Sequence, residues 1–325
     1  MKEIVNNILS VSPDTFKARA LAQFRFQYQQ NLVYKKWVDA LQVEVENVTE
    51  LSQIPFLPVS FFKTDKVITG NFAPQIIFES SGTTGTVNSR HFVKDLNIYT
   101  ESFTEGFRTF YGDPKDWCII GLLPSYLERD GSSLIMMVKE LIELSGLTES
   151  GFYLNEFYKL SKVLQDLETR QQKTLLIGVT FALLDLAEQF PMELKHTTIM
   201  ETGGMKGRRR EMVREEVHGL LQQQLKVPAV HSEYGMTELL SQGYSLGGGI
   251  FNTVSWMKVL VRDEDDPLLI TDKGRGLINV IDLANIYSCS FIATDDVGRL
   301  SEDGSFEVLG RRDNSDIRGC SLMVM

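Results

Sequence analysis

Residues 80–86 read SSGTTGT, a run of hydroxyls and glycines directly after the apolar stretch QIIF. Glycines let a backbone approach an anion closely, and Ser and Thr hydroxyls add donors, so such a loop can cradle phosphate. It has neither the GK[ST] ending of a Walker loop nor a GxGxxG pattern, which disfavours a P-loop NTPase and a dinucleotide fingerprint. Taken alone, a plain Ser/Thr/Gly turn explains it equally well. Further along, SEYGMTELLS offers Tyr234 as a flat face for a base, Thr237 as a hydroxyl for a phosphate and Glu238 as a carboxylate for Mg2+. ATDDVGRL supplies Asp295 and Asp296, and one carboxylate can take both hydroxyls of a ribose. LGRRDNSDIRG supplies Arg311, whose guanidinium can reach ribose or phosphate. Each element is weak by itself; in this order and spacing they point to ATP.

The remaining chemistry-bearing residues are sparse. Three cysteines, Cys118, Cys289 and Cys320, are too few and too scattered for a disulfide framework, and no Cys/His spacing suggests zinc. Cys118 lies within an apolar run and Cys289 within YSCSF, so both read as structural. Cys320 follows Arg318 and Gly319: a nearby cation favours a thiolate nucleophile, while a small packed apolar residue is the competing reading. His91 sits just past the loop, where it could touch substrate or phosphate. His196, His218 and His231 show no partner spacing. Lys206 and Arg208 to Arg210 form a basic patch, but REEVH follows it, which suits a solvated helix face. With a net charge of −10 and a pI near 5.1, bulk attraction to nucleic acid or an anionic membrane is not expected. The sequence shows no leader pattern and no long apolar run, so a cytoplasmic protein without stable membrane insertion is expected.

The elements that would position these residues follow from periodicity. SPDTFKARALAQFRFQYQQNLVYKKWVDAL reads as helix, with Ser12 as N-cap and Pro13 at the first position. DWCIIGLLP, KTLLIGVT and HTTIMETGG read as buried strands. SLIMMVKELIEL, FALLDLAEQF and RRREMVREEVHGLLQQQL read as the helices after them, and HFVKDLNIYTESFTEGFRTFYG has helical spacing. The alternation predicts a largely parallel sheet covered by helices, with QIIF as the strand ahead of the loop. Beyond about residue 250, LLITDKGRGLINVIDL and GRLSEDGSFEVLGR place glycine turns between strand-like runs, as in antiparallel hairpins. The expected fold class is therefore α/β with a β-rich C-terminal part. Residues 1–310 would form the core (1–70 a helical start, 71–250 α/β, 251–310 β-rich), and 311–325 a terminal tail.

In these motifs the sequence resembles the adenylate-forming superfamily, which includes acyl-CoA synthetases, firefly-type luciferases and peptide-synthetase adenylation domains. SSGTTGT matches its phosphate loop, YGMTE its adenine-and-magnesium motif, TDDVG its ribose motif and GRRDNSDIRG its hinge motif, over roughly residues 75 to 319. The resemblance implies that Ser81, Gly82, Thr83, Thr84, Gly85 and Thr86 hold ATP phosphates, Thr83 and Thr84 foremost. It implies that Gly203, Gly204 and Met205 flank adenine and the acyl pocket, and that Tyr234 stacks on adenine. Thr237 would contact the α-phosphate, Glu238 would ligate magnesium, Asp296 would bind ribose with Asp295 its near neighbour, Arg311 would contact the nucleotide and Asp313 would be the hinge. Tyr126, Gly131 and Gly235, with Met205, fall where substrate contacts are expected.

Two departures stand out. The family's phosphate loop usually ends in lysine, where TVNSRH offers only Arg90. The family normally continues into a small mobile C-terminal domain carrying a catalytic lysine, whereas this sequence has no lysine after Lys273. The branch that stops near this motif is the LuxE-type acyl-protein synthetases of the bacterial bioluminescence fatty-acid reductase system, which IRGCSLMVM and ETGGMKGRRRE also resemble. That likeness implies activation of a fatty acid as its adenylate, transfer to Cys320 as a thioester, and delivery to a partner acyl reductase or acyltransferase. A carboxylate–CoA ligase completed by a separate component, or a nucleotide-binding scaffold without catalysis, are the other expectations.

Overall fold

A computed structural model describes residues 8–80, 87–123, 131–203 and 212–312. The helix Pro13–Gln30 begins where the sequence places it, with Pro13 at a position that needs no N–H and the Thr15 hydroxyl accepting the Ser12 N–H at 3.1 Å. Its buried stripe is Phe16, Ala20, Gln23, Phe24 and Gln27, spaced to line one helix face. Two glutamines in a buried stripe need partners. Gln27 finds the carbonyls of Asn285 (3.1 Å) and Ile286 (2.9 Å) and accepts the Ser290 N–H at 2.9 Å, while Gln23 donates to the Leu283 carbonyl at 3.1 Å. The helical start is thereby fixed to the segment 283–290.

The strands are, in chain order, β1 (Leu57–Pro58), the hairpin β2 (Ile76–Glu79) and β3 (Arg90–Val93), then β4 (Cys118–Leu122), β5 (Gly151–Phe152), β6 (Thr174–Gly178), β7 (Thr197–Glu201) and β8 (Val230–Tyr234). There follow β9 (Gly243–Ser245), β10 (Ile250–Thr253), β11 (Met257–Arg262), β12 (Ile270–Thr271), β13 (Gly274–Asp282), β14 (Phe291–Leu300) and β15 (Phe306–Arg311). Among the described residues, thirteen of them share one sheet in the order β12-β11-β13-β14-β15-β10-β9-β8-β7-β6-β4-β5, with β1 beside β14. From β5 to β8 the pairing is parallel, and from β8 to β12 it is antiparallel. Every residue of β4 and β6 is buried, as a parallel strand covered on both faces requires.

Helices Ser133–Ser145, Phe157–Thr169, Thr180–Gln189 and Arg214–Leu225 connect the parallel strands. Each begins just after a β-strand or its loop, so the carboxyl ends of β4, β6, β7 and β8 open on one side. The β-rich part expected after about residue 250 continues the same sheet through the β8–β9 pair. The chain departs from the sequence expectation in one respect. QIIF is not a strand of the parallel sheet: β2 pairs only with β3, in a separate two-stranded sheet. An apolar run of four residues carries no record of its partner, and here the nearest one in sequence wins.

Candidate functional site

The hairpin sets the frame. Glu79 stands opposite Arg90 at its end. Ser80 and Ser89 close the neck, the Ser80 N–H donating to the Ser89 carbonyl at 3.1 Å and the Ser89 N–H to the Ser80 hydroxyl at 2.9 Å. The loop residues Ser81 to Thr86 lie outside the described residues, as do Tyr126, Gly204, Met205, Asp313 and Cys320. Gly131 rests on the hairpin backbone: its carbonyl accepts the Glu79 N–H at 2.9 Å, its φ is +90°, and a Cβ there would meet the Ile77 carbonyl oxygen at 2.8 Å. Only glycine suits that combination.

Across from the hairpin, three of the motif residues meet. Tyr234 ends β8, and its hydroxyl donates to Asp296 Oδ2 at 2.9 Å. Asp296 on β14 is in register with Arg311 on β15, and Arg311 Nε lies 3.5 Å from Asp296 Oδ1. Side chains alternate along a strand, so neighbouring Asp295 points to the other face, where the Arg262 charge is its counterpart. That alternation is what separates the two aspartates. Burial raises the Asp296 pKa, opposed by the Arg311 charge and the Tyr234 hydroxyl. The Tyr234 ring itself is only 8 % exposed and lies edge-on to Phe251 and Phe306, at 6.0 and 5.4 Å between centroids. Arg311 remains 64 % exposed in its side chain.

The turn after β8 carries Thr237, half-buried, and Glu238, 5 % exposed. It is strapped from two directions. Asp282, at the end of β13, accepts the N–H groups of Leu240 (2.7 Å) and Ser241 (3.1 Å) and the Ser241 hydroxyl (2.6 Å). Asn285 donates through Nδ2 to the Glu238 carbonyl at 2.7 Å. From the hairpin, His91 Nδ1 lies 2.8 Å from the Thr237 carbonyl and His91 Nε2 lies 2.9 Å from Asn285 Oδ1. Burial lowers the His91 pKa to about 4, so the ring is neutral at pH 7 and donates through one nitrogen at a time. Burial raises the Glu238 pKa, with the Ser89 hydroxyl bond first among the opposing effects and the Arg311 and Lys63 charges adding to it.

Gly203 ends the strand-like run of β7. It has φ +72°, and its N–H donates to Glu201 Oε2 at 2.8 Å. Glu201 also accepts from Thr180 Oγ1 (3.1 Å) and Ser232 Oγ (2.9 Å), with Arg214 Nε at 3.7 Å and His218 Nε2 at 3.6 Å. Burial pushes its pKa up, but His218, Ser232, the Gly203 N–H and the Arg214 charge together outweigh that and hold it at about 2. The next strand carries a second carboxyl, Glu233, directly opposite Tyr244 on β9. Burial, then the Glu201 charge, pushes Glu233 up to about 8. A Cβ on Gly235 would come 2.3 Å from Glu233 Oε1, so the glycine of the YG pair makes room for that carboxyl.

Glu233, Asp282 and Asn285 are not among the expected site residues, and His91, placed where it could touch substrate or phosphate, meets protein instead. Glu233 lies just ahead of YGMTE in VHSEY, on the same strand face as His231, and nothing local marks it. Asp282 and Asn285 lie in INVIDLAN, where nothing local marks them as partners of a turn about forty residues earlier. Among the described residues no three His, Cys, Asp or Glu side chains are grouped as a metal site, and no helix is long and apolar enough to cross a membrane.

Comparison with solved structures places this architecture. ATP-bound MatB from Rhodopseudomonas palustris matches at a TM-score of 0.55 and 19% identity, over 74% of this chain and 49% of that one. A 2-hydroxyisobutyryl-CoA ligase, in complex with 2-HIB-AMP and CoA in its thioesterification state, matches at 0.65 and 11% identity, over 94% of this chain and 70% of that one. The fold is therefore that of adenylate-forming enzymes, and the chain spans about half the length of MatB. No curated protein matches by sequence. The family model described as acyl-protein synthetase, LuxE, matches residues 10–325, and the chain belongs to that family.

Proposed function

We propose that the chain activates a carboxylic acid, a fatty acid foremost, with ATP and then carries the acyl group on a thiol of its own. In the first step a carboxylate oxygen attacks the α-phosphorus, the bond to the β-phosphate oxygen breaks, and pyrophosphate leaves. In the second the Cys320 thiolate attacks the acyl carbon, the bond to AMP breaks, and the thiol proton passes to solvent. A partner reductase or acyltransferase would take the acyl group from the thioester. The observation that carries this reading is the junction of Tyr234, Asp296 and Arg311, where three separate motifs converge on one carboxylate beside the Thr237–Glu238 turn.

In this reading residues 1–310 are the adenylating core and 311–325 the hinge and acyl-bearing tail. Asp296 would accept the ribose hydroxyls, held in place by Tyr234, with Arg311 reaching the nucleotide from its exposed end. Ser81 to Thr86 would hold phosphates, and Thr237 would donate to the α-phosphate. Gly203, Gly204 and Met205 would border adenine and acid, with Tyr126, Gly131 and Gly235 near the acid. Magnesium takes few protein carboxylates plus phosphate oxygens, so a lone Glu238 beside phosphates fits it without a dedicated cage. When bound, the ion would neutralise phosphate charge. The protein would supply position and oriented donors, which dominate phosphoryl and adenylyl transfer. Two unpaired buried cysteines, Cys118 and Cys289, suit a reducing, cytoplasmic setting.

The test is acid-dependent ATP–pyrophosphate exchange across fatty, aryl and amino acids, followed by labelling of the protein with the activated acid. A hydroxylamine-sensitive label that Cys320→Ser abolishes is expected. ATP binding without exchange for any acid would select the non-catalytic scaffold instead. Product formation that needs CoA and leaves Cys320 unlabelled would select a carboxylate–CoA ligase.

A further inference from the structure

We propose that His91 is a positioning residue, which ties the hairpin carrying the 81–86 loop to the turn carrying Thr237 and Glu238. The assignment rests on the adenylation reading above and adds a residue to it. The ring is 1 % exposed, so its contacts are with protein alone. One nitrogen meets the Thr237 carbonyl at 2.8 Å, and the other meets Asn285, whose amide nitrogen holds the Glu238 carbonyl at 2.7 Å. Phe62 stands perpendicular to the ring at 6.0 Å and fixes its plane. Ser89, two residues earlier, lies close enough to the Glu238 carboxyl for its hydroxyl to counter the effect of burial there. The inward edge of the hairpin thus grips the turn through His91 on the Thr237 backbone, with Ser89 beside the Glu238 side chain.

The consequence is geometric. The His91 contact therefore fixes the closed neck of the hairpin, Ser80 and Ser89, relative to the Thr237–Glu238 turn. His91 touches no reacting atom; it acts through Thr237 and Asn285. Loss of such a tie changes how well bound ATP is aligned more than how tightly it is held, and misplacement of about 1 Å can cost about 100-fold in rate. Helix or strand formation would not depend on it, because the β2–β3 register is set by backbone bonds.

His91→Phe keeps the ring and removes both of its polar contacts; Asn285→Ala removes the contact with His91 and the bond to the Glu238 carbonyl, and leaves His91 against the Thr237 carbonyl. In acid-dependent pyrophosphate exchange each should lower kcat about 10- to 100-fold while the ATP KM changes less than about threefold. The double variant should lose less than the product of the two single losses, since both remove the His91–Asn285 contact. Amide hydrogen exchange of the purified chain without ligand should quicken at 236–241 in both variants and stay unchanged in the β13–β14 ladder. Wild-type kcat together with wild-type protection at 236–241 in His91→Phe would overturn the assignment, as would additive losses in the double variant. If His91→Phe does not fold, Asn285→Ala alone carries both readouts. If the parent shows no exchange with any acid, the adenylation reading fails, and protection at 236–241 still decides whether the tie exists.

Discussion

Glu233 offers a direct test of the charge arrangement inside the sheet. Its pKa is pushed up to about 8 from an ordinary 4.5, first by burial and then by the charge of Glu201 one strand away. Between those two values the folded chain keeps a proton that the unfolded chain has released. The stability this contributes is fully present below the unfolded value, declines as pH rises, and is gone once pH passes the folded value. The difference, 8 − 4.5 = 3.5, corresponds to ~5 kcal/mol at ~1.36 kcal/mol per pH unit. Part of the side chain still meets solvent, which brings the working figure down to ~3 kcal/mol. Glu233→Gln keeps the shape and has no proton to lose. Its stability relative to the parent should therefore rise by ~3 kcal/mol across the window from pH 4.5 to 8, on top of any constant cost of the amide. Urea denaturation of both proteins at a series of pH values measures this, and titrations common to the two cancel in the difference. A difference that stays level with pH would refute the reasoning, and with it the picture of a neutral carboxyl facing Tyr99, Tyr111 and Tyr244.

Three further outcomes are expected. Tyr234→Phe removes the 2.9 Å bond to Asp296 and leaves that carboxyl to Arg311 alone; a loss of ~1.5–3 kcal/mol in urea denaturation is expected, with weaker ATP binding by calorimetry. Asp282→Asn puts an N–H₂ where the Leu240 and Ser241 donors need an acceptor; ~2–4 kcal/mol should be lost, and exchange of the Leu240 and Ser241 amides should quicken. Gly235→Ala drives a methyl to 2.3 Å from the Glu233 carboxyl; ~1–3 kcal/mol of destabilisation follows from overpacking, and Glu233→Ala in the same chain should recover part of it.

The parallel strands and the helices between them were legible because burial on both faces writes continuous apolar runs such as CIIGL and TLLIG. The pairings were not. QIIF looks like those runs yet folds onto the strand that follows its own loop, because hairpin closure costs little chain entropy and a crossover costs more. Tyr234, Asp296 and Arg311 could be named from their motifs, and their mutual hydrogen bond and ion pair could not, since 62 residues separate the first two. His91 illustrates the limit most plainly. A histidine between Arg90 and Phe92 carries no local mark, and its two contacts lie 146 and 194 residues away. Glu233 sits among polar neighbours in VHSEY; its raised proton affinity comes from burial and then from Glu201, which only the sheet brings near.

The bonds between Gln27 and the segment 285–290 also set a timetable for the protein's birth. The two ends of that contact are separated by about 260 residues. A ribosome adding roughly 5 to 20 residues per second needs about 13 to 52 s to deliver the second after the first. Through that interval the helix Pro13–Gln30 has emerged with Phe16, Phe24 and two buried-type glutamines unpartnered. The stretch that looks least distinctive in the sequence is thus the one with the longest wait, and the one on which a chaperone would have most to hold.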